Sequence, residues 1–333
     1  MHKVIGITSK SGWDKYISRA SRADIYHTYE YHQVHASLDG GKPTLWVSEV
    51  GEQFIALPLL ERNIPHVKSL KDFTSVYGYP GLITNTNNTS TFTSLFDALV
   101  RGLNNQGYIS IFSRMNSFTV PEEYLDQVCT IHGETVNVDL LASESTQTKA
   151  YRTNHRRDIK KLERNHFVCE FVEINDCLNE FIDVYNSTMA SLKASNYYLF
   201  PREYYLNLFR ALNKHVKLVK VHLNNEVACM GIFFFYEGTI QYHLGGTASN
   251  YYKFAPTKLM FEYIRKYGNV KGYERFHLGG GLGGGNDNLF NFKKGFSKDI
   301  KKFYLLKQVL NERKYEELSL GKKSEHFFPL YRV

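Results

Sequence analysis

Lys293 is the first residue whose type and position suggest chemistry. It follows a loop with six glycines, residues 278–286, and lies among aromatic side chains in the segment Phe290–Phe296. A partly desolvated ammonium can stabilise the oxyanion that forms when an amine attacks an ester or thioester carbonyl. The neighbouring ring of Phe292 could hold that ammonium through a cation–π contact. An ordinary surface lysine in a lysine-rich stretch is the alternative interpretation.

Such a transfer also needs a group that removes a proton from the attacking amine. Asp287, Tyr252 and His243 are the candidates for this general base. An enzyme base is not required if the substrate supplies its own, because an amine that is already deprotonated and positioned attacks a carbonyl directly. The sequence therefore leaves the identity of the base open.

A second set of candidate residues lies where a predicted strand, 239–245, leads into a loop and a predicted helix, 256–267. Backbone N–H groups of such a loop and at a helix start can bind a pyrophosphate or another anion. The alternative is an ordinary strand end followed by a helix cap. The residues that would meet this anionic donor are His243, Gly245, Gly246, Tyr252, Lys253 and Lys258.

The positive charge of the chain is concentrated. The formal net charge is +8, and residues 152–164 and 293–302 each carry a surplus of four positive charges. A concentrated surplus favours an anionic partner such as a phosphate group, RNA or a membrane face. Arg156 and Arg157, in the first segment, are candidates for holding a diphosphate or an RNA backbone. Two solvated helix faces are the alternative.

Composition and motifs exclude several classes of protein. With 43% hydrophobic and 22% charged residues, the 333-residue chain is not disordered. The four cysteines form no CxxC pair, GxSxG and HExxH are absent, and His27, His32 and His35 do not share one helix face. We expect no metal site and no permanently bound cofactor. The lack of an apolar leader or a membrane-spanning run predicts a cytoplasmic protein, with the inner face of the membrane as a further possible location.

The two halves of the chain show a similar order of predicted elements, which indicates an internal duplication. The halves join near residue 145, at the polar stretch 143–148, and a basic helix is predicted over 149–165. The first half predicts helices over 13–20 and 24–38, a hairpin of strands 44–50 and 53–60, a helix over 91–104 and a strand over 108–115. The second half predicts a helix over 202–214, strands over 217–223, 226–236 and 239–245, a helix over 256–267 and a strand over 274–278.

This order resembles the core of the GNAT acyltransferases, and the second half resembles the Fem-type transferases that build peptidoglycan bridges and their FemAB-like relatives. The resemblance is strongest over residues 150–305, and the helical arm of some Fem-type members has no counterpart here. It rests on the segments YRTNHRRDIKKLERNHF (151–167), YHLGGTASNYYKFAPTKLMFEYI (242–264) and FHLGGGLGGGNDNLFNFKKGFS (276–297).

The resemblance implies an α/β (α+β) fold of two GNAT-like units in tandem, each a mixed, mostly antiparallel sheet flanked by helices. Residues 1–145 would form the acceptor-binding unit and residues 146–333 the donor-binding unit. It also implies a catalytic role for the pair Phe292–Lys293, with Asp287 beside it, and donor contacts within 243–258. The implied acceptor-binding residues in the first unit are Tyr29, Tyr77 and Tyr79.

The predicted function is N-acyl transfer from an activated donor to an amine of a cell-envelope, glycan or nucleotide-sugar precursor. The donor is acyl-CoA or aminoacyl-tRNA, and the loop after residue 246 lacks the Gly-x-Gly of common acetyl-CoA sites. The expected partners are an anionic small molecule or a lipid-linked substrate, and tRNA if it is the donor. One alternative is a tRNA-dependent, peptide-bond-forming transferase acting on a peptidoglycan precursor or a peptide. Another is a non-catalytic protein that binds nucleic acid or an anionic surface.

Overall fold

The computed structural model describes residues 2–325 and 327–333 of the chain. These residues form two compact units. Unit 1 comprises Met1–Gly133 and Lys302–Val333, and unit 2 comprises Glu134–Lys301. No helix of the described ranges is both long and apolar enough to cross a bilayer.

Unit 1 is a mostly antiparallel sheet with flanking helices. Its strands follow the order β1-β2-β3-β4-β6-β13, with the short β5 paired to β3, and only β4 and β6 run parallel. Its elements are β1 (Lys3–Ile7), α1 (Lys10–Arg19), α2 (Tyr29–Asp39), β2 (Lys42–Val50), β3 (Gln53–Ile64), β4 (Val67–Thr74), β5 (Ile83–Thr84), α3 (Thr89–Asn105), β6 (Ser110–Asn116), α4 (Glu122–Val128), the end of β13 (Asp299–Val309) and α11 (Glu312–Ser319).

Unit 2 has the same kind of architecture. Its strands follow the order β7-β12-β11-β10-β9-β8, and only β11 and β12 run parallel. Its elements are β7 (Thr130–Asp139), α5 (Glu144–Ala150), α6 (Thr153–Arg164), β8 (Val168–Val172), α7 (Ile174–Ser191), α8 (Arg202–Leu212), β9 (Val216–Leu223), β10 (Glu226–Tyr236), β11 (Thr239–Thr247), α9 (Thr257–Lys271), β12 (Arg275–Gly279) and α10 (Asn288–Lys293).

The predicted repeat of elements is present in both units. In each unit three antiparallel strands lead through a helix to a strand that is parallel to the third, namely β2-β3-β4-α3-β6 and β9-β10-β11-α9-β12. The tight turns that start these meanders are encoded locally. Asn224 and Asn225 both have positive φ, 49° and 67°, as a two-residue hairpin turn requires. The predicted fold class is therefore confirmed.

The boundary between the units differs from the predicted division at residue 145. After α4, the chain enters β7, which pairs with β12 of unit 2. After α10, it enters β13, which pairs with β6 of unit 1 and adds Tyr304 and Leu306 to the core of that unit. The strand that comes after the repeated elements of one unit thus pairs into the sheet of the other unit. As a result, residues 302–333 belong with unit 1 rather than with the unit predicted to bind the donor. Local patterns identify a strand but not its distant partner.

Two local predictions around the joint also differ from the structure. The polar stretch 143–148 is not a linker, because Ser143 caps helix α5 by accepting a hydrogen bond from the N–H of Thr146. The basic helix predicted over 149–165 is interrupted at Tyr151 and Arg152, where the backbone is extended. The cationic segment therefore consists of the end of α5 and the whole of α6.

The histidines of the first unit belong to its core. His27, His32 and His35 are fully buried around α2. Burial lowers the pKa of His27 to about 4 and that of His32 to about 3, so both rings are neutral near pH 7. Within the described residues, no group of three or more histidine, cysteine, aspartate or glutamate side chains could hold a metal ion.

These buried histidines predict that the protein loses stability in mild acid. Their folded pKa values lie below the unfolded value of 6.5, so below pH 6.5 the unfolded chain binds more protons than the folded one. At pH 5 the expected loss of unfolding free energy is on the order of 2 kcal/mol for each of His27 and His32. Thermal unfolding measured between about pH 7.5 and pH 5 checks this.

The matched comparison is His32→Gln against His132→Gln, because His132 is exposed. We expect the first substitution to flatten the pH dependence of the unfolding midpoint and the second to leave it unchanged. A wild-type midpoint that stays constant down to pH 5 would contradict the prediction.

Candidate active site

The parallel strands of unit 2 separate at their carboxyl ends. β11 and β12 are partnered only from Thr239↔Arg275 to Gln241↔His277, and β11 then continues to Thr247 beside β10. The register of β10 and β11 shifts at His243, since Tyr242 opposes Phe233 but Leu244 opposes Ile232. Diverging parallel strands and a nearby bulge are typical of ligand sites in α/β proteins. The opening lies where the sequence predicts the anionic donor.

Lys293 lies at this opening. It is the last residue of α10 and only 6% exposed. Its ammonium donates a hydrogen bond of 2.7 Å to the carbonyl of Gly280, which directly follows β12. The same Nζ lies 5.6 Å from the ring centroid of Tyr242 on β11. The cation is therefore held between the two strands where they separate.

The environment of Lys293 changes its proton affinity. Burial lowers the pKa of the Lys293 ammonium to about 7, and the charge of Asp287 opposes part of that shift. The expected desolvation is thus present, and the side chain exchanges between cation and neutral amine near neutral pH. A desolvated cation interacts more strongly with a developing negative charge than one in water does.

The predicted partner ring of Lys293 is wrong. The ring that faces the ammonium is Tyr242, whereas Phe292 packs against His155, Phe261 and Phe296 with centroid distances of 5.5, 6.0 and 5.6 Å. Successive residues of a helix point about 100° apart, so a direct neighbour of Lys293 in α10 is poorly placed to lie over its ammonium. Phe292 thus supports the position of α10.

Asp287 anchors the glycine-rich loop. Its carboxylate caps α10 by accepting from the N–H of Phe290 at 2.8 Å and accepts from the N–H of Leu282 at 2.7 Å. A Cβ atom at Gly281 would lie 2.5 Å from Asp287 Oδ1, so the loop needs glycine there to close around the carboxylate. Both oxygens are occupied by backbone donors, which gives Asp287 a positioning role. Its role as a base stays a prediction.

The basic helix α6 docks directly on the segment that carries Lys293. The Nε2 of His155 lies 3.0 Å from the carbonyl of Phe292, and the N–H of Arg152 donates to the carbonyl of Gly295 at 2.8 Å. A Cβ atom at Gly295 would lie 2.2 Å from His155 Nε2, so only glycine permits this approach. Two segments about 140 residues apart in the chain thereby fix the position of Lys293.

Three functional candidates were missed by sequence reasoning. Tyr242 faces Lys293, and the Nδ1 of His277 lies 2.5 Å from Oε1 of Gln241 at the last paired position of the two strands. Burial, followed by the charge of Lys293, lowers the pKa of His277 to about 3 and keeps its ring neutral. Both strands are largely buried, so their alternation does not reveal which side chains face the opening. The available signal was that Tyr242 and His277 lie within the quoted segments 242–264 and 276–297, with Gln241 directly before the first of them.

The side chains predicted to bind the donor through their positive charge mainly form contacts within the protein. Arg156 donates to the carbonyls of Thr148, Lys149 and Tyr151 and so caps the end of α5. Lys258 is buried and pairs with Asp158 at 2.7 Å, and the exposed Arg157 reaches the same carboxylate at 3.2 Å. A donor contact by any of these three side chains stays a prediction.

The three candidates at the end of β11, His243, Gly245 and Gly246, have different surroundings. His243 lies 3.2 Å from the hydroxyl of Tyr204, away from the Tyr242 ring that faces Lys293. Gly245 makes room for Tyr242, because a Cβ atom there would lie 2.3 Å from its hydroxyl oxygen. Gly246 lies against α7, where a Cβ atom would be 2.6 Å from the carbonyl of Val184. Their positions explain the glycines, and their predicted contact with a donor is untested.

The start of α9 has some of the features of an anion site. No side chain caps this helix, whose first residue is Thr257. The N–H groups of Lys258 and Leu259 already donate to the carbonyls of Ala255 and Pro256, at 3.0 and 2.9 Å, so this turn offers an anion mainly the positive end of the helix dipole. Ala255, just before the helix, has a positive φ of 52°, which is uncommon for a residue other than glycine. Tyr252 and Lys253 lie exposed on the preceding 3₁₀ turn.

The acceptor candidates of unit 1 are half-buried aromatic residues. Tyr29 packs edge-on against Trp13 with centroids 5.6 Å apart, and Tyr79 against Tyr26 at 5.8 Å. The carbonyl of Tyr77 accepts a hydrogen bond of 3.0 Å from the Tyr31 hydroxyl. The structure brings the loop that contains Tyr77 and Tyr79 to the start of α2, while Tyr29 packs on a different ring. Their role in acceptor binding is untested.

Comparison with known proteins relates the segment that contains Lys293 to a known domain. Residues 149–294 match the sequence model of the acetyltransferase (GNAT) domain. That segment contains α6, the opening between β11 and β12, and Lys293. No curated protein sequence matches this chain.

Solved structures extend the likeness to nearly the whole chain. The chain is similar to FemX, with 11% identity and a TM-score of 0.71 over 95% of this chain and 99% of that chain. It is also similar to the C-terminal domain of a putative lysylphosphatidylglycerol synthetase from Agrobacterium fabrum, with 17% identity and a TM-score of 0.54 over 90% and 93% of the chains. L-PGS from Bacillus licheniformis gives 14% identity and a TM-score of 0.52 over 92% and 93%. The predicted resemblance to Fem-type GNAT proteins is thereby confirmed for the fold.

Proposed function

We propose that this chain is an N-acyltransferase that moves an acyl or aminoacyl group from an activated ester or thioester to an amine. The observation that carries the proposal is the position of Lys293. Its buried ammonium lies where β11 and β12 separate, 2.7 Å from the Gly280 carbonyl. The match of residues 149–294 to the GNAT domain supports the same class of reaction.

The reaction needs one positioned cation and a route for one proton. The amine attacks the carbonyl carbon, the C–N bond forms, and the negative charge that develops on the carbonyl oxygen is stabilised by the Lys293 ammonium. The C–O or C–S bond to the donor then breaks, and the proton lost by the amine is transferred to the leaving oxygen or sulfur. Asp287 and His155 act through Lys293 by holding α10 in place.

The start of α9 would bind the phosphates of the donor. Acyl-CoA and aminoacyl-tRNA both carry such phosphates, and both stay candidates. The names of the synthetases with a similar fold favour aminoacyl transfer. The acceptor would be an amine of a cell-envelope, glycan or nucleotide-sugar precursor, bound by unit 1 through Tyr29, Tyr77 and Tyr79. We propose that the reaction takes place in the cytoplasm or at the inner face of the membrane.

A panel of donors and acceptors tests the proposal. The purified full chain is incubated with acyl-CoA thioesters or charged tRNA and with amino-sugar nucleotides or lysine-containing peptidoglycan precursors. Mass spectrometry of the acceptor should show the added acyl or aminoacyl mass with one class of donor. Loss of the product after ribonuclease treatment identifies tRNA as that donor.

One result of this panel would reject the proposal, namely the absence of any product together with steeply salt-dependent binding of RNA, which favours the non-catalytic alternative. A product that Lys293→Met forms as fast as the wild type would instead remove Lys293 from the proposed mechanism. Lys298→Met is the control, because it removes the same charge at an exposed position nearby.

A further inference from the structure

Unit 2 exposes a patch of large apolar and basic side chains at the end of α7. Leu192, Tyr197 and Leu199 are 48%, 46% and 43% exposed, although side chains of these types are usually buried. Lys193 lies between them in the chain, and the exposed Tyr252 and Lys253 belong to the 3₁₀ turn whose Tyr252 contacts Ser191 at the end of α7. We call these six residues, without Ser191, the α7-end patch.

The α7-end patch is an ordered surface. The N–H of Ala194 bonds to the carbonyl of Met189, which closes the end of α7, and the hydroxyl of Tyr185 donates to the carbonyl of Tyr198 at 2.9 Å. The hydroxyls of Ser191 and Tyr252 lie 3.1 Å apart and join the two segments of the patch. These contacts fix the backbone while the leucines and Tyr197 point outward.

Positive charge predominates around the patch, where the carboxylate of Glu226 accepts a hydrogen bond of 2.8 Å from the Tyr251 hydroxyl. No aspartate or glutamate occurs in residues 184–202 or in residues 238–261. In the part of the chain that the structure describes, neither Lys193 nor Lys253 forms an ion pair. The ammonium of Lys253 lies 5.1 Å from the ring centroid of Phe254. The patch therefore combines exposed apolar area with two lysines that have no ion-pair partner among the described residues.

We propose that the α7-end patch docks this protein on the surface of an anionic phospholipid bilayer. Leu192 and Leu199 would enter the boundary between headgroups and acyl chains, and Tyr197 would lie at headgroup level. Lys193 and Lys253 would meet lipid phosphates. A symmetric contact between two copies is less favourable, because it places the same lysines against each other and the patch itself contains no carboxylate. Attachment of this kind is peripheral, and it does not depend on the reaction proposed above.

Vesicle binding tests this surface without any substrate. The full chain is mixed with vesicles of phosphatidylcholine alone or of phosphatidylcholine with about 30% phosphatidylglycerol, and bound protein is measured by sedimentation. We expect binding only to the anionic vesicles. The double variant Leu192→Glu/Leu199→Glu should bind at least about tenfold more weakly, and Lys193→Gln about fivefold more weakly. Val270→Glu is the matched control, because Val270 is an 83% exposed apolar residue of α9 outside the patch, and it should bind like the wild type.

A fluorescence readout keeps the test decisive if the double variant does not fold. The two natural tryptophans, Trp13 and Trp46, are buried in unit 1, so Tyr197→Trp adds a reporter at the patch. We expect its emission to shift to shorter wavelength with anionic vesicles only. The proposal is overturned if the wild type ignores anionic vesicles, or if the reporter does not respond while the protein binds. It is also overturned if the patch variants change the oligomeric state measured by light scattering, since the patch would then be a contact between copies.

Discussion

Replacement of Lys293 by methionine is expected to lower turnover by a factor of about a hundred or more while the fold stays intact. Methionine has a similar length and no charge, so it removes the cation that would face the oxyanion. It also removes a buried charge whose desolvation is unfavourable, as the lowered pKa of about 7 shows. The free energy of unfolding is therefore expected to stay constant or to rise by up to about 2 kcal/mol.

The pH dependence of the reaction gives a second readout of the same residue. If the protonated form of Lys293 is needed, its contribution is lost as pH rises through about 7 in the free enzyme. The arginine of Lys293→Arg stays charged over this range, so its alkaline limb in kcat/KM should move to higher pH. In the wild type, stability should also rise between about pH 7 and pH 10, because the unfolded lysine binds a proton that the folded one has lost.

The result that would remove Lys293 from the mechanism is unchanged kcat in Lys293→Met with a normal unfolding transition. A loss of activity that is equalled by Lys298→Met would instead indicate a general effect of net charge. Steady-state kinetics and thermal unfolding of both variants separate these outcomes.

Substitution of Asp72 by asparagine is expected to destabilise the protein by about 3–5 kcal/mol. Asp72 is fully buried on β4 and accepts four hydrogen bonds. Its oxygens take the Nη2 of Arg332 at 2.8 Å, the hydroxyl of Tyr331 at 2.9 Å and the Nε of Arg62 at 3.2 Å, together with the Nε of Arg332. An asparagine would place an NH₂ group against these donors and leave two guanidinium groups without their anion.

Urea unfolding of Asp72→Asn measures this effect. Asp14→Asn is the control, because Asp14 pairs with Lys10 on the surface and should contribute less than about 1 kcal/mol. Arg332→Lys should recover little of the loss caused by Arg332→Ala, since lysine cannot make the two-pronged contact. A change in unfolding free energy below about 1 kcal/mol in Asp72→Asn would mean that the cluster does not hold the C-terminal segment.

Much of the local structure follows from the sequence. Phe92, Leu95, Phe96, Leu99 and Leu103 recur at helical spacing, and all five are buried on α3. The repeated order of strands and helix follows in the same way from local periodicity and turn residues. The predicted GNAT-like fold of both halves depends only on such patterns.

The exchange of β7 and β13 between the two units could not be predicted from local patterns. β13 and β7 each pair with a strand from the other half of the sequence, and no local pattern names a partner more than 100 residues away. For the same reason the sequence placed residues 302–333 with the wrong unit.

The sequence alone determined that a lysine would follow a glycine-rich loop among aromatic residues and that positive charge would gather beside it. The tertiary structure alone decided that this lysine is buried, that Tyr242 rather than Phe292 faces it, and that Asp287 is held by backbone amides. Proton affinity depends on how much water and which charges surround a group after folding. Those surroundings come from segments far apart in the chain. Residue types and spacing therefore identify Lys293 as a candidate but do not determine its pKa or its contacts.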